Sequence, residues 1–116
     1  MLKMNIERGE ILLIDFNPTR GSEIQKTRPA IVITNNIANK YSRVLMVIPI
    51  TSQNIDRIFP HEVLIQKADG LTKPSKANIS QMRAIDRDRI QKKIGKVLPK
   101  NLHEIEKALK IHLSLL

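Results

Sequence analysis

The sequence predicts a mainly β fold: a small, strongly bent sheet or barrel with one C-terminal helix laid against it. Three observations lead there. Short apolar, β-branched runs follow one another between residues 10 and 98, punctuated by Gly, Pro and Asn. The period changes near residue 101, after which apolar residues return at three- and four-residue steps. No internal repeat or low-complexity stretch breaks the series, and 116 residues suit one domain spanning 1–116, large enough to bury a core without cross-links.

The first run, residues 10–16, lies behind Gly9 and stops at the turn former Asn17-Pro18, which makes it a strand. Residues 29–34 start at Pro29 and are β-branched, and residues 43–50 repeat the theme after a polar link at 35–42; both are expected at the centre of the sheet. Pro49 cannot donate to a ladder, so it belongs at a bulge, an edge or the strand's exit, with Thr51 where the backbone leaves. Residues 62–66 and 75–82 are weaker strands joined by a turn-rich connection at 68–74. A short helical turn is expected at 85–90 and a last strand at 93–98. Asn101 is expected to cap the final helix with Glu104 reaching back, and Leu102, Ile105 and Leu109 begin its apolar stripe. Ala108, Ile111 and Leu115 widen that stripe, which either packs wholly on the chain's own core or leaves part for a partner subunit.

The chain has no cysteine, so neither a disulfide framework nor a thiolate metal site can form; a reducing compartment, the cytoplasm, is expected. The first residues carry no apolar signal region and no run is long enough to span a bilayer, so neither export nor membrane insertion is expected. The formal net charge of +9 points to a polyanion, although an acidic protein partner or a merely basic surface satisfies it equally. The excess concentrates in residues 67–100, where only Asp69, Asp86 and Asp88 oppose the lysines and arginines.

Neither a metal nor a cofactor is expected. His61, His103 and His112 lack the spacing of helical metal pairs, and Asp86 and Asp88 are expected to cap a turn or pair with Arg83, Arg89 or Lys92. There is no phosphate-binding Gly-rich loop and no nucleophile elbow. What remains is the polar loop between the first two runs, longer than a connection needs and holding Glu23, Lys26 and Arg28. A cation, a hydroxyl and a carboxylate suit RNA, because its 2′-OH is an internal nucleophile beside the scissile phosphate. The protein need only orient it, move protons and stabilise charge on the phosphoryl oxygens. Arg28 is well prepared for that work, since Pro29 restricts its backbone to extended conformations at the entrance of a strand. Taken singly, Arg28 equally suits a surface ion pair with Glu23, Thr51 an ordinary strand end, and Glu23 a solvated loop charge.

Several segments act together in order and spacing: Arg8-Gly9-Glu10-Ile11; Pro18-Thr19-Arg20-Gly21-Ser22-Glu23; Arg28-Pro29-Ala30-Ile31-Val32-Ile33; Val47-Ile48-Pro49-Ile50-Thr51-Ser52; and Ser80-Gln81-Met82-Arg83. Over nearly the whole chain they resemble the MazF/Kid/PemK toxin family. The resemblance implies an SH3-like barrel with a C-terminal helix, a homodimer, and a metal-independent endoribonuclease that cuts single-stranded RNA to a 2′,3′-cyclic phosphate and a 5′-hydroxyl. It implies that Arg28 stabilises the phosphorane, Thr51 holds the scissile phosphate and Glu23 is a candidate base. Residues 17–27 with Ser80 and Gln81 would line the RNA groove, the named contacts being Phe16, Asn17, Thr19, Arg20, Ser22, Gln25, Lys26, Ser52, Ser80 and Gln81. Some relatives carry an acidic residue where this chain has Ser80, so a carboxylate base cannot act from that position here. The implied protein partner is an acidic antitoxin of the MazE type covering the same basic groove. A gyrase poison of the CcdB type is disfavoured, since those toxins resemble one another in ending Trp-Gly-Ile and this chain ends Ser-Leu-Leu. A non-catalytic basic nucleic-acid-binding module is the remaining alternative.

Overall fold

The computed structural model describes residues 4–18, 20–23 and 26–115. Its strands are β1 (Glu10–Asp15), β2 (Thr27–Val32), β3 (Val44–Thr51), β4 (Glu62–Ile65), β5 (Ser75–Asn78), β6 (Arg83–Asp86) and β7 (Ile90–Lys96). Two α-helices, α1 (Asn36–Tyr41) and α2 (Pro99–His112), and two 3-10 turns, Ile79–Gln81 and Arg87–Arg89, complete the described elements. The sheet runs β4-β5-β3-β2-β1-β7 with every pairing antiparallel. The mainly β architecture with a terminal helix is therefore the one the sequence predicts.

The bend originates in β3. Its first half, Val44 to Val47, pairs with β6, and its end, Ile50 and Thr51, pairs with β5, while β2 runs along the other edge. Pro49 lies opposite Ala30 inside β3, at the gap where the strand changes partners, and not at its exit; such an interruption tolerates a residue with no N–H. The sheet then curls until the connection after β4 lies on β7. A Cβ on Gly95 would sit 1.8 Å from the Asp69 carbonyl oxygen and one on Gly70 2.2 Å from that of Ile94, so both positions require glycine.

The central residues of β1 to β3 are buried on both faces, which explains their near-continuous apolar runs, although Val44 and Met46 at the start of β3 are exposed. One cluster gathers Leu12, Ile14, Phe16, Ala30, Val32, Leu45, Val47 and Ile85. The other gathers Ile11, Ile31, Ile48, Ile50, Val63, Ile65 and Ile79, together with Ile105 of α2. Helix α2 lies on β4 and the Ile79–Gln81 turn. Arg8 ties this assembly together: its guanidinium donates to the Ile33 carbonyl at 2.9 Å and pairs with Glu106 of α2 at 2.6 Å.

Several boundaries differ from the sequence reading. The polar link at 35–42 contains α1, where Asn35 accepts the Ala38 N–H at 2.9 Å and the buried Asn39 side chain donates to the Thr34 carbonyl at 2.8 Å. Local amide bonding thus makes a helix without an apolar stripe, since Ile37 and Tyr41 are exposed. The run at 75–82 breaks into β5 and a 3-10 turn because the Asn78 side chain accepts from the Ser80 N–H. The turn expected at 85–90 shrinks to Arg87–Arg89 between β6 and β7, and the last strand begins earlier, at Ile90. Helix α2 starts at Pro99 with Leu98 as N-cap; Asn101 lies buried inside its first turn, donating to Glu104 at 3.0 Å. Near its end Ile111, Leu113 and Leu115 stay exposed, so the wide stripe is not spent wholly on this core.

Candidate active-site groove

Arg28 comes from β2, opposite Ile14 of β1 and immediately before Pro29. Thr51 ends β3, opposite Lys76 of β5. Both are half-buried, and they share an open hollow of about 420 Å³ with Ser22, Glu23, Lys26, Gln53, Asn54, Glu62, Lys76 and Asn78. Arg28 and Thr51 also wall a neighbouring hollow of about 220 Å³, with Ser52, Lys73 and Ser75. Glu23 borders a third, of about 370 Å³, with Phe16, Pro49, Ser80, Gln81, Met82 and Arg83. The shared residues make these hollows one groove crossing the end of the sheet.

The Thr51 hydroxyl oxygen accepts the Gln53 N–H at 3.1 Å, which leaves the hydroxyl proton to donate to a bound oxygen. Glu23 closes a turn on itself: its carboxylate accepts the Arg20 N–H and its own N–H donates to the Arg20 carbonyl at 3.1 Å. Lys76 and Glu62 form an ion pair at 3.0 Å, each side chain only 6% exposed. The Lys76 ammonium also donates to the carbonyls of Asn54 at 3.0 Å and Arg57 at 3.1 Å, so all three of its protons are used. With Glu62 neutralised in this way, Lys26, Arg28, Lys73 and Arg83 outweigh Glu23 along the groove, and the field favours a phosphate backbone.

The loop between β1 and β2 is closed at its root. Phe16 N–H donates to the Lys26 carbonyl and Lys26 N–H donates to the Asn17 side chain, each at 3.0 Å, while Lys26 adopts φ +68°. Arg89 of the second 3-10 turn donates to the carbonyls of Asp15, at 3.1 Å, and of Asn17. Asn17 thus shapes the loop, whereas Ser22 and Lys26 line the groove and Arg20 is exposed beside it. The Ser80 hydroxyl donates to Asn78 at 2.6 Å, and Gln81 reaches to within 3.5 Å of the Ser22 carbonyl, joining loop and sheet. Thr19 and Gln25 lie outside the described residues.

Phe16 departs from its expected part as an RNA contact. Its side chain is fully buried in the core, with the Arg83 guanidinium carbon 5.6 Å from the ring centroid, so it borders the groove without offering a face to a base. Asp86 caps the Arg87–Arg89 turn, as expected, accepting the Asp88 N–H at 2.9 Å, while the ion pairs of Asp86 and Asp88 go to Arg43, at 3.1 and 3.2 Å, with Arg89 adding only a longer-range attraction to Asp86. The N–H of Asp88, with Arg43 adding to it, holds the Asp86 carboxyl below its ordinary range, and Asp86 in turn raises the Arg43 guanidinium. Sequence reasoning missed Lys76 and Glu62 altogether. The only signal was a lysine between the small residues Ser75 and Ala77, which a β alternation leaves ambiguous. Among the described residues no group of three or more His, Asp or Glu side chains could hold a metal ion.

Residues 7–113 match the family model described as PemK-like, MazF-like toxin of type II toxin-antitoxin system. The chain belongs to this toxin family. Endoribonuclease MazF9 of Mycobacterium tuberculosis is 39% identical over 95% of this chain and 98% of its own length. The crystal structure of MazF from Deinococcus radiodurans superposes with a TM-score of 0.84 at 22% identity, over 97% of this chain and all of that one. A mycobacterial endoribonuclease in complex with its cognate antitoxin gives 0.79 at 22% identity, over 96% of this chain and 97% of its own. The PemK/MazF fold is therefore common to these chains, and in this one it brings Arg28 and Thr51 to a single groove. No helix among the described residues is long and apolar enough to cross a membrane.

Proposed function

We propose that this chain is one cytoplasmic toxin domain acting as a metal-independent endoribonuclease on single-stranded RNA, neutralised by an acidic antitoxin. The observation that carries the reading is the meeting of Arg28 and Thr51, from two adjacent strands, in a groove rich in cations. The 39% identity to a protein named as an endoribonuclease supports it.

In this mechanism the RNA 2′-OH attacks the adjacent phosphorus, the bond to the 5′-oxygen breaks, and a 2′,3′-cyclic phosphate and a 5′-hydroxyl result. Arg28 meets two nonbridging oxygens with its planar fork and stabilises the charge that grows on them. The Thr51 hydroxyl donates to the same phosphate and fixes the approach. The proton leaving the 2′-OH passes to Glu23 or to water, and the departing 5′-oxygen regains a proton from Arg28 or from a water that Arg28 orients. Glu23 already spends a carboxylate oxygen on the Arg20 N–H, so the weight of the chemistry falls on Arg28 and Thr51.

The same positive groove suits a disordered acidic antitoxin tail, which would exclude RNA by occupying it. A homodimer is supported by the apolar side chains that α2 leaves exposed at Ile111 and Leu113. The test is to incubate the purified protein with long single-stranded RNA in excess EDTA and map the fragment ends. Discrete cuts ending in cyclic phosphate are expected. RNA that binds but stays intact would instead mark a non-catalytic binding module.

A further inference from the structure

The groove continues past Asn54. Asn54, Glu62 and Lys76 also wall a further hollow of about 520 Å³, completed by Asp56, Arg57, Phe59 and His61. The chain holds two phenylalanines, one tyrosine and no tryptophan. Phe16 is buried in the core and Tyr41 stands on α1, so Phe59, 42% exposed, is the aromatic available to the groove. Its ring stacks on His61, with centroids 5.7 Å apart and planes 9° apart, and the Arg57 guanidinium carbon lies 5.2 Å from its centroid.

This platform is built and not incidental. The buried Lys76 ammonium holds the carbonyls of Asn54 and Arg57, and Glu62 accepts the Phe59 N–H at 3.0 Å and returns its own N–H to the Phe59 carbonyl at 2.9 Å. The segment is thus fixed at the residues that carry the ring and the guanidinium. The charges nearly cancel, Lys76 against Glu62 and Arg57 against Asp56, which suits an uncharged polarisable base better than a phosphate or an acidic peptide. Single-strand sites combine a cationic track with aromatic faces, and here the cations of the Arg28 groove give way to the one stacked ring pair among the described residues.

We infer that this hollow is a nucleobase subsite, in which a nucleotide flanking the scissile step stacks its base on the Phe59–His61 pair. The inference rests on the ribonuclease reading for the path of the RNA, yet it can fail separately. The Phe59→Trp change would give the protein its only tryptophan. Carried together with Arg28→Ala to prevent cutting, this variant is titrated in EDTA with a fluorescein-labelled single-stranded 16-mer of mixed sequence, whose anisotropy reports saturation independently. Tryptophan emission should quench along the same curve as the anisotropy. In the same Arg28→Ala background, Phe59→Leu should weaken binding of that RNA about tenfold, the loss of one stacked base, while the thermal midpoint stays put. Unchanged emission at saturation, or a Phe59→Leu, Arg28→Ala protein that binds as the Arg28→Ala parent does, would overturn the subsite even if the native protein cuts RNA. Quenching by an RNA that the native protein never cuts would leave the subsite standing and remove the nuclease reading. A 16-mer that does not bind at all would remove both.

Discussion

The two loops that wall the groove are held in opposite ways. The loop between β1 and β2 is tied at its root, through Asn17, Lys26 and Arg89, and its described residues Arg20 to Glu23 are exposed around a turn of their own, with Gln81 reaching to within 3.5 Å of the Ser22 carbonyl. The loop between β3 and β4 is tied in its middle, where the buried Lys76 ammonium takes the Asn54 and Arg57 carbonyls. Between them stand Arg28 and Thr51, placed by strand register, with the Thr51 hydroxyl also accepting the Gln53 N–H of the second loop. Under the proposed mechanism this gives a division of labour: the strands would fix the reacting phosphate, and the loop held by Lys76 would present a pre-shaped wall beside it.

The largest effect is expected where neither loop is touched. Arg28→Ala should slow cleavage under saturating RNA by about 10²–10³-fold, with only a small change in RNA affinity, as single-turnover rates and anisotropy titrations would show. Next comes the clamp. Lys76→Met leaves a buried carboxylate without its partner and should cost about 3–5 kcal/mol of stability, read by denaturant unfolding. Adding Glu62→Leu should recover most of that stability while cleavage stays impaired, because the loop carbonyls remain unheld. A double variant that cuts like the native protein would end the distinction between the loops. Asn17→Ala removes the acceptor of the Lys26 N–H and should cost only about 1 kcal/mol, raising KM more than it lowers kcat.

The smallest effect belongs to Asp86, whose carboxylate bonds to the Asp88 N–H and Arg43 and not to either loop. Its carboxyl is held low by the Asp88 N–H and by Arg43, so its stabilisation is complete above the unfolded carboxyl's pKa and fades as pH falls through the lower folded value. Asp86→Asn should therefore melt slightly below the native protein at neutral pH and converge with it in strong acid.

How far the sequence could be read follows from the same contrast. Strands β1 to β3 are legible because burial of their central residues on both faces leaves nearly unbroken apolar runs, and Arg28-Pro29 announces a cation on a rigid strand entrance. Helix α1 was not legible, since its six residues are stabilised by amide side chains and carry no apolar period. The start of α2 was misread because Asn101 and Glu104 mimic a capping box, while Pro99, with its preset φ, marks the first turn. Phe16, next to the polar loop, is an expected RNA contact, yet its place just after β1 drives it into the core. Lys76 was hidden for a deeper reason. A lysine buried by a carboxylate and two backbone carbonyls depends on partners 14 to 22 residues away, and no local pattern records them.

The most direct test of the mechanism changes the RNA and not the protein. Once a cut site is mapped, an oligoribonucleotide carrying it is made with a single 2′-deoxy sugar on the 5′ side of the scissile phosphate and compared with the all-ribose strand in EDTA. In the proposed mechanism the groove supplies cation and hydroxyl but not the nucleophile, so the 2′-deoxy strand should bind with similar affinity and remain uncut at that bond. Cleavage of that same bond would contradict the account, because the attacking oxygen would then have to come from water or from the protein.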